Sequence, residues 1–121
     1  MSTTRPPSRL TAPERTAVRA FLEKLHRDYG QVVQQIILFG SKARGDSRLD
    51  SDIDILIIVE EESWPLRDAI STVAARVSLE HNILIGPRVI GRERWHRMQR
   101  ERFSFYEHIA QEGIPLSPEL A

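Results

Sequence analysis

Two aspartates, Asp52 and Asp54, stand two residues apart at the head of an apolar run, Ile55-Leu56-Ile57-Ile58-Val59. On a β-strand, residues at that spacing project to the same side of the sheet. Two neighbouring carboxylates repel each other unless a proton or a cation sits between them. Hard oxygen ligands of this kind suit Mg²⁺, which completes its shell with phosphate oxygens. Upstream, Gly40-Ser41 closes another apolar stretch, Val32 to Phe39. A glycine there lets the backbone approach a ligand, and exposed N–H groups at such a turn bind phosphate. Lys42 and Arg44 add positive charge to the same loop, and an arginine holds phosphate with paired hydrogen bonds. One loop thus offers phosphate donors and the next strand offers a metal.

Taken singly, a Gly-Ser turn or an Asp-x-Asp is an ordinary surface feature. Their conjunction, each at the edge of a buried strand, gives the reading its weight.

The elements that must position these residues can be read from periodicity. Residues 1–10 are polar, carry Pro6-Pro7 and read as a flexible N-terminal segment, with the domain occupying residues 11–121. Thr11-Ala12-Pro13-Glu14 is a helix start, with Thr11 as cap, Glu14 reaching back to it and Pro13 in the first turn. Val18, Phe21, Leu22, Leu25 and Tyr29 follow at helical spacing, and Gly30 is a stop. Val32–Phe39 and Asp52–Val59 read as buried strands, with the polar stretch Ser41 to Ser51 between them. Leu66, Ile70, Val73, Ala74 and Val77 mark a second amphipathic helix. A third strand is expected from about Asn82 to Ile90, at an edge or with a bulge because Gly86-Pro87 interrupts it. Beyond it the chain reads as helical, through Arg92–Arg102 and then Phe105, Tyr106 and Ile109 to Gly113. The expected class is α+β, a small mixed sheet with helices packed on one face.

Composition narrows the functions available. The 121 residues allow one domain, and 17 basic against 17 acidic side chains give no net pull toward nucleic acid or membrane. The absence of cysteine excludes thiolate catalysis, disulfides and cysteine-ligated zinc. His26, His81, His96 and His108 show no metal-ligand spacing, and none stands in a suggestive relation to Ser41, so a serine hydrolase is discounted. The apolar run at 53–59 is too short to span a bilayer, and the polar start is no signal peptide, which implies a cytoplasmic protein. Six arginines lie between Arg88 and Arg102. They read as a solvated helix face with Trp95 and Met98 turned inward, rather than as an RNA surface. An apolar C-terminal helix leaves self-association open.

The stretches Leu38-Phe39-Gly40-Ser41-Lys42-Ala43-Arg44-Gly45 and Ser51-Asp52-Ile53-Asp54 resemble the signature of minimal nucleotidyltransferases in the DNA polymerase beta superfamily. The resemblance covers most of residues 12–116 and extends, more weakly, to Ile109–Leu116. It implies the polymerase beta palm-like fold and transfer of a nucleoside monophosphate, AMP first among them, from a nucleoside triphosphate to a hydroxyl. It also implies ATP as donor, Mg²⁺ in a two-metal site, Asp52 and Asp54 as catalytic and metal residues, and Gly40, Ser41 and Arg44 as nucleotide-binding residues. Many of the smallest members are antitoxins of HEPN-domain toxins, and some adenylylate a tyrosine of that partner. The alternative is an antitoxin that neutralises its partner by contact, with a weak or inactive site. The family usually has a third carboxylate on the strand after the second helix. At that place this sequence is expected to have Asn82, with Glu80 as the nearby acid, which would impair the second metal.

Overall fold

The computed structural model describes residues 10–45 and 51–117. Helix α1 (Ala12–Tyr29) starts from the expected capping box: the Glu14 N–H donates to Thr11 Oγ1 at 3.2 Å, and the Thr11 N–H donates to Glu14 Oε1 at 2.8 Å. Strand β1 (Val33–Phe39) follows, then a single helical turn, α2 (Ser41–Arg44), which closes at the left-handed Gly45. Strand β2 (Ile53–Val59) leads to helix α3 (Trp64–His81), capped by the Ser63 hydroxyl, and then to strand β3 (Ile85–Gly91). Two short helices, α4 (Arg92–Arg100) and α5 (Ser104–Glu112), precede the two-residue strand β4 (Ile114–Pro115).

The strands form one mixed sheet in the order β3-β2-β1-β4. β1 is antiparallel to both β2 and β4, and β3 runs parallel to β2, with α3 as the crossover. β3 lies at the sheet edge, where Pro87 is tolerated, as Gly86-Pro87 led one to expect.

The interior strand β2 explains both its own composition and the placement of the helices. Ile53, Ile55, Ile57 and Val59 face α1 and α3, in a core with Phe21, Leu22, Leu25, Ile70 and Val77. Leu56 and Ile58 face the other way, against Trp95, Met98 and Ile109 of α4 and α5. A strand covered on both faces has to be apolar on both, hence the near-continuous Ile/Leu run. The α+β class and small mixed sheet stand as expected. The two long helices share one face, and α4 and α5 cover part of the other. Trp95 and Met98 turn inward as their spacing indicated.

Two local readings are corrected, and Glu80, left open between helix and strand, is placed. The third strand begins at Ile85, not Asn82; Asn82 is the left-handed C-cap of α3, at φ 54°. Glu80 belongs to α3, where it is exposed and pairs with Lys24 at 3.8 Å. Leu10, placed in the N-terminal segment, is buried in the core, while residues 1–9 lie outside the described residues.

Candidate functional site

The site forms where β1 ends and β2 begins. Antiparallel pairing puts Phe39 opposite Asp54, so the chain leaving β1 turns directly over the Asp54 carboxylate. The turning residue is Gly40, at φ 79°. A Cβ on Gly40 would collide with Asp54 Oδ2, so glycine is required both by the backbone angle and by the close approach. This contact joins the two halves of the sequence pattern, the Gly-Ser turn and the Asp-x-Asp pair. Ser41 opens α2 beside it.

Asp52, just before β2, is exposed, and Asp54, in its second position, is half-buried. Burial pushes the Asp54 carboxyl above its ordinary value, the charge of Asp52 pushes it further, and the Arg44 guanidinium partly offsets both. A raised value of this origin marks a place where positive charge is wanted. Arg44 is held from behind by Glu112 of α5, at 3.5 Å. Beside Gly40 a cleft of about 420 Å³ opens between Phe39, Arg44, Phe105, His108, Ile109 and Glu112.

Lys42, counted with Arg44 in the sequence reading, goes elsewhere. Its side chain is buried and Nζ donates to Glu14 Oε2 at 2.6 Å. Glu14 therefore spends one oxygen on the α1 cap and the other on the loop that carries Gly40 and Ser41. The sequence signals the first role alone. Lys42 is a positioning residue that ties the turn to α1.

On the other flank of Asp54 the parallel register puts Gly86 of β3. A Cβ there would meet Asp54 Oδ1 at an ordinary 3.7 Å. The next residue on the same face is Arg88, beside Leu56. Neither is a carboxylate, and among the described residues no group of three or more His, Cys, Asp or Glu side chains converges as a metal centre. The expected Asn82 is not at the site strand, and Asp46 and Asp50 lie outside the described residues. Asp52 and Asp54 suit one Mg²⁺ ion that takes its remaining ligands from phosphate and water. Among the described residues no third acid flanks this pair. No helix among the described residues is long and apolar enough to cross a membrane.

Comparison with known proteins fits this geometry. The model of the nucleotidyltransferase domain matches residues 18–111. A candidate protein adenylyltransferase of Methanocaldococcus jannaschii is 31% identical over 100 residues, which cover 83% of this chain and 94% of that protein. A second candidate protein adenylyltransferase from the same organism is 45% identical over 56 residues, 46% of this chain and 57% of the relative. Among solved structures, a toxin-antitoxin complex with AMP-PNP superposes with a TM-score of 0.53 at 19% identity, covering 80% of this chain and 70% of the other. At that identity the likeness concerns the fold.

Proposed function

The chain belongs to the nucleotidyltransferase domain family, and on that premise we propose that it binds Mg²⁺–ATP and transfers AMP to a hydroxyl of a partner protein. The observation that carries this reading is the closure of Gly40 onto Asp54, which joins the Gly40-Ser41 turn to the Asp52/Asp54 pair in one place. Asp52 and Asp54 are the residues that would hold the ion, which neutralises phosphate charge when bound. Gly40 admits the phosphates close to the backbone, Ser41 offers its hydroxyl, and Arg44 supplies a cation fixed by Glu112. The acceptor oxygen bonds to the α-phosphorus, pyrophosphate leaves with the bridging oxygen, and the hydroxyl proton is released. The cleft lined by Phe39 and Phe105 has the aromatic walls that suit a base or ribose.

The partner is a HEPN-domain toxin, with this chain as antitoxin. The names of the relatives point to protein adenylylation and the toxin-antitoxin assembly of a structural neighbour supports a toxin as partner, while the HEPN domain follows from the sequence resemblance alone. A second reading, neutralisation by contact with slow transfer, is favoured by Gly86 standing where a third carboxylate would flank Asp54. The test is transfer of label from α-labelled ATP to the co-encoded partner, with Asp52→Ala/Asp54→Ala as control. Label that the control abolishes supports transfer. Metal-dependent ATP binding without label supports contact alone.

A further inference from the structure

We propose that Arg88 is a phosphate-binding residue of this site, so that β3 contributes a fixed cation where it lacks a metal-binding acid. The inference rests on the nucleotide-binding reading above and deepens it.

Arg88 lies two residues beyond Gly86 on β3, about 7 Å along the strand, and alternation puts both on the face that carries Asp54. Its neighbour across the ladder is Leu56, whose side chain belongs to the α4–α5 side of the sheet. Arg88 is exposed. The guanidinium stacks over the Phe105 ring, 4.7 Å from its centroid. Phe105 in turn meets Phe39 edge-on at 5.5 Å and Trp95 at 6.4 Å, so the ring that seats the arginine is itself fixed.

The surrounding arginines make the contrast. Arg44 pairs with Glu112, Arg67 and Arg94 share Glu62, and Arg102 faces Glu107. Among the described residues no carboxylate is within ion-pair distance of Arg88; its recorded contact is the aromatic ring. An arginine stacked on a ring keeps all its N–H donors in one plane, free at their edges, which is the geometry that takes a phosphate through two hydrogen bonds. Arg88 is two register pairs further along the ladder, beside Leu56, while Gly86 is the partner of Asp54. The ligand class is a nucleoside triphosphate, gripped from one side by Gly40, Ser41 and Arg44 and from the other by Arg88.

The test is calorimetric titration of the full chain with ATP, in Mg²⁺ and again in EDTA, for the wild type, Arg88→Ala, Arg88→Lys and Phe105→Leu. Arg97→Ala, an exposed arginine on the far groove beside Glu60–Glu62, controls for loss of one positive charge. Thermal melts check that each variant is folded. The expected result is at least tenfold weaker binding for Arg88→Ala under both conditions. Phe105→Leu gives a smaller loss, Arg88→Lys partial rescue, and Arg97→Ala no change. Equal affinity of the wild type and Arg88→Ala, or an equal loss in Arg97→Ala, overturns the role of Arg88 while leaving the nucleotide site standing. A wild type that does not bind ATP at all overturns the nucleotide reading and this inference with it.

Discussion

Across the parallel ladder between β2 and β3, Gly86 is the register partner of Asp54. The open space beside that carboxylate comes from this pairing, because the adjacent strand offers no side chain there. On its other side Asp54 is closed off by Gly40, again without a side chain. Asp54 thus sits between two glycines, one excluding any Cβ and one with room for it.

That asymmetry yields a direct prediction. Gly86→Asp introduces a carboxylate next to Asp54, with its Cβ at ordinary contact distance from Oδ1. Titration with Mn²⁺ in the presence of a non-hydrolysable ATP analogue is expected to show one ion for the wild type and a second for this variant. Asn82→Asp, at the α3 cap, is expected to leave the stoichiometry unchanged. A second ion in the Asn82 variant would mean that the strand starts earlier than observed.

Asp54→Asn removes a proposed metal ligand and a repulsive neighbour of Asp52 together. Metal-dependent ATP affinity is expected to fall roughly tenfold or more, with no loss of thermal stability. Isothermal titration and a melt on the same sample measure both.

Gly40→Ala is expected to cost about 1–3 kcal/mol in urea unfolding, since it forces a side chain into left-handed backbone. The added methyl also displaces the Asp54 carboxylate, so nucleotide affinity falls with stability. Gly86→Ala, with space for its methyl, is the comparison, and its unfolding midpoint is expected to stay near that of the wild type.

Lys42→Met strands Glu14 as a buried, unpaired charge. Breaking such a pair costs about 3–5 kcal/mol, read as a lower urea midpoint. The double variant Glu14→Gln/Lys42→Met is expected to recover most of that loss, because neither group is then charged.

The same pair sets a pH dependence. Burial acts to raise the Glu14 carboxyl, but the hydrogen bonds from Lys42 and Thr11 and the Lys42 charge outweigh it, leaving a value below the ordinary one. A carboxyl lowered in the folded state stabilises fully above its unfolded value, about 4.3, and the contribution disappears as pH falls through the folded value. Unfolding midpoints are expected to drop between about pH 5 and pH 3, and Glu14→Gln should flatten that limb. An unchanged slope in the variant would assign the acid limb to other carboxylates.

Much of this molecule was legible along the chain. The capping box of Thr11 and Glu14, the glycine turn after Phe39, the aspartates heading β2 and the inward spacing of Trp95 and Met98 all depend on residues within a few positions of one another. Turn chemistry and side-chain periodicity are local, so sequence carries them. The misplacements concern long-range pairing. Asn82 looked like the head of a strand because Asn82-Ile83-Leu84-Ile85 is apolar after its first residue, yet Asn82 takes the left-handed cap that ends α3. The Ser78 hydroxyl, accepting from the Ile85 N–H at 3.0 Å, helps set where β3 begins.

What sequence determined by itself is the chemistry on offer: two carboxylates at strand spacing, a glycine turn and a loop with cations. Tertiary structure decided how that chemistry is shared out. It sent Lys42 inward to Glu14, 28 residues away in the chain. It left Arg44 at the site, put Gly86 rather than an acid beside Asp54, and seated Arg88 on Phe105. Those outcomes depend on strand register and on which helix covers which face. Both are settled by burying two apolar faces of β2 at once, a constraint that no short stretch of sequence contains.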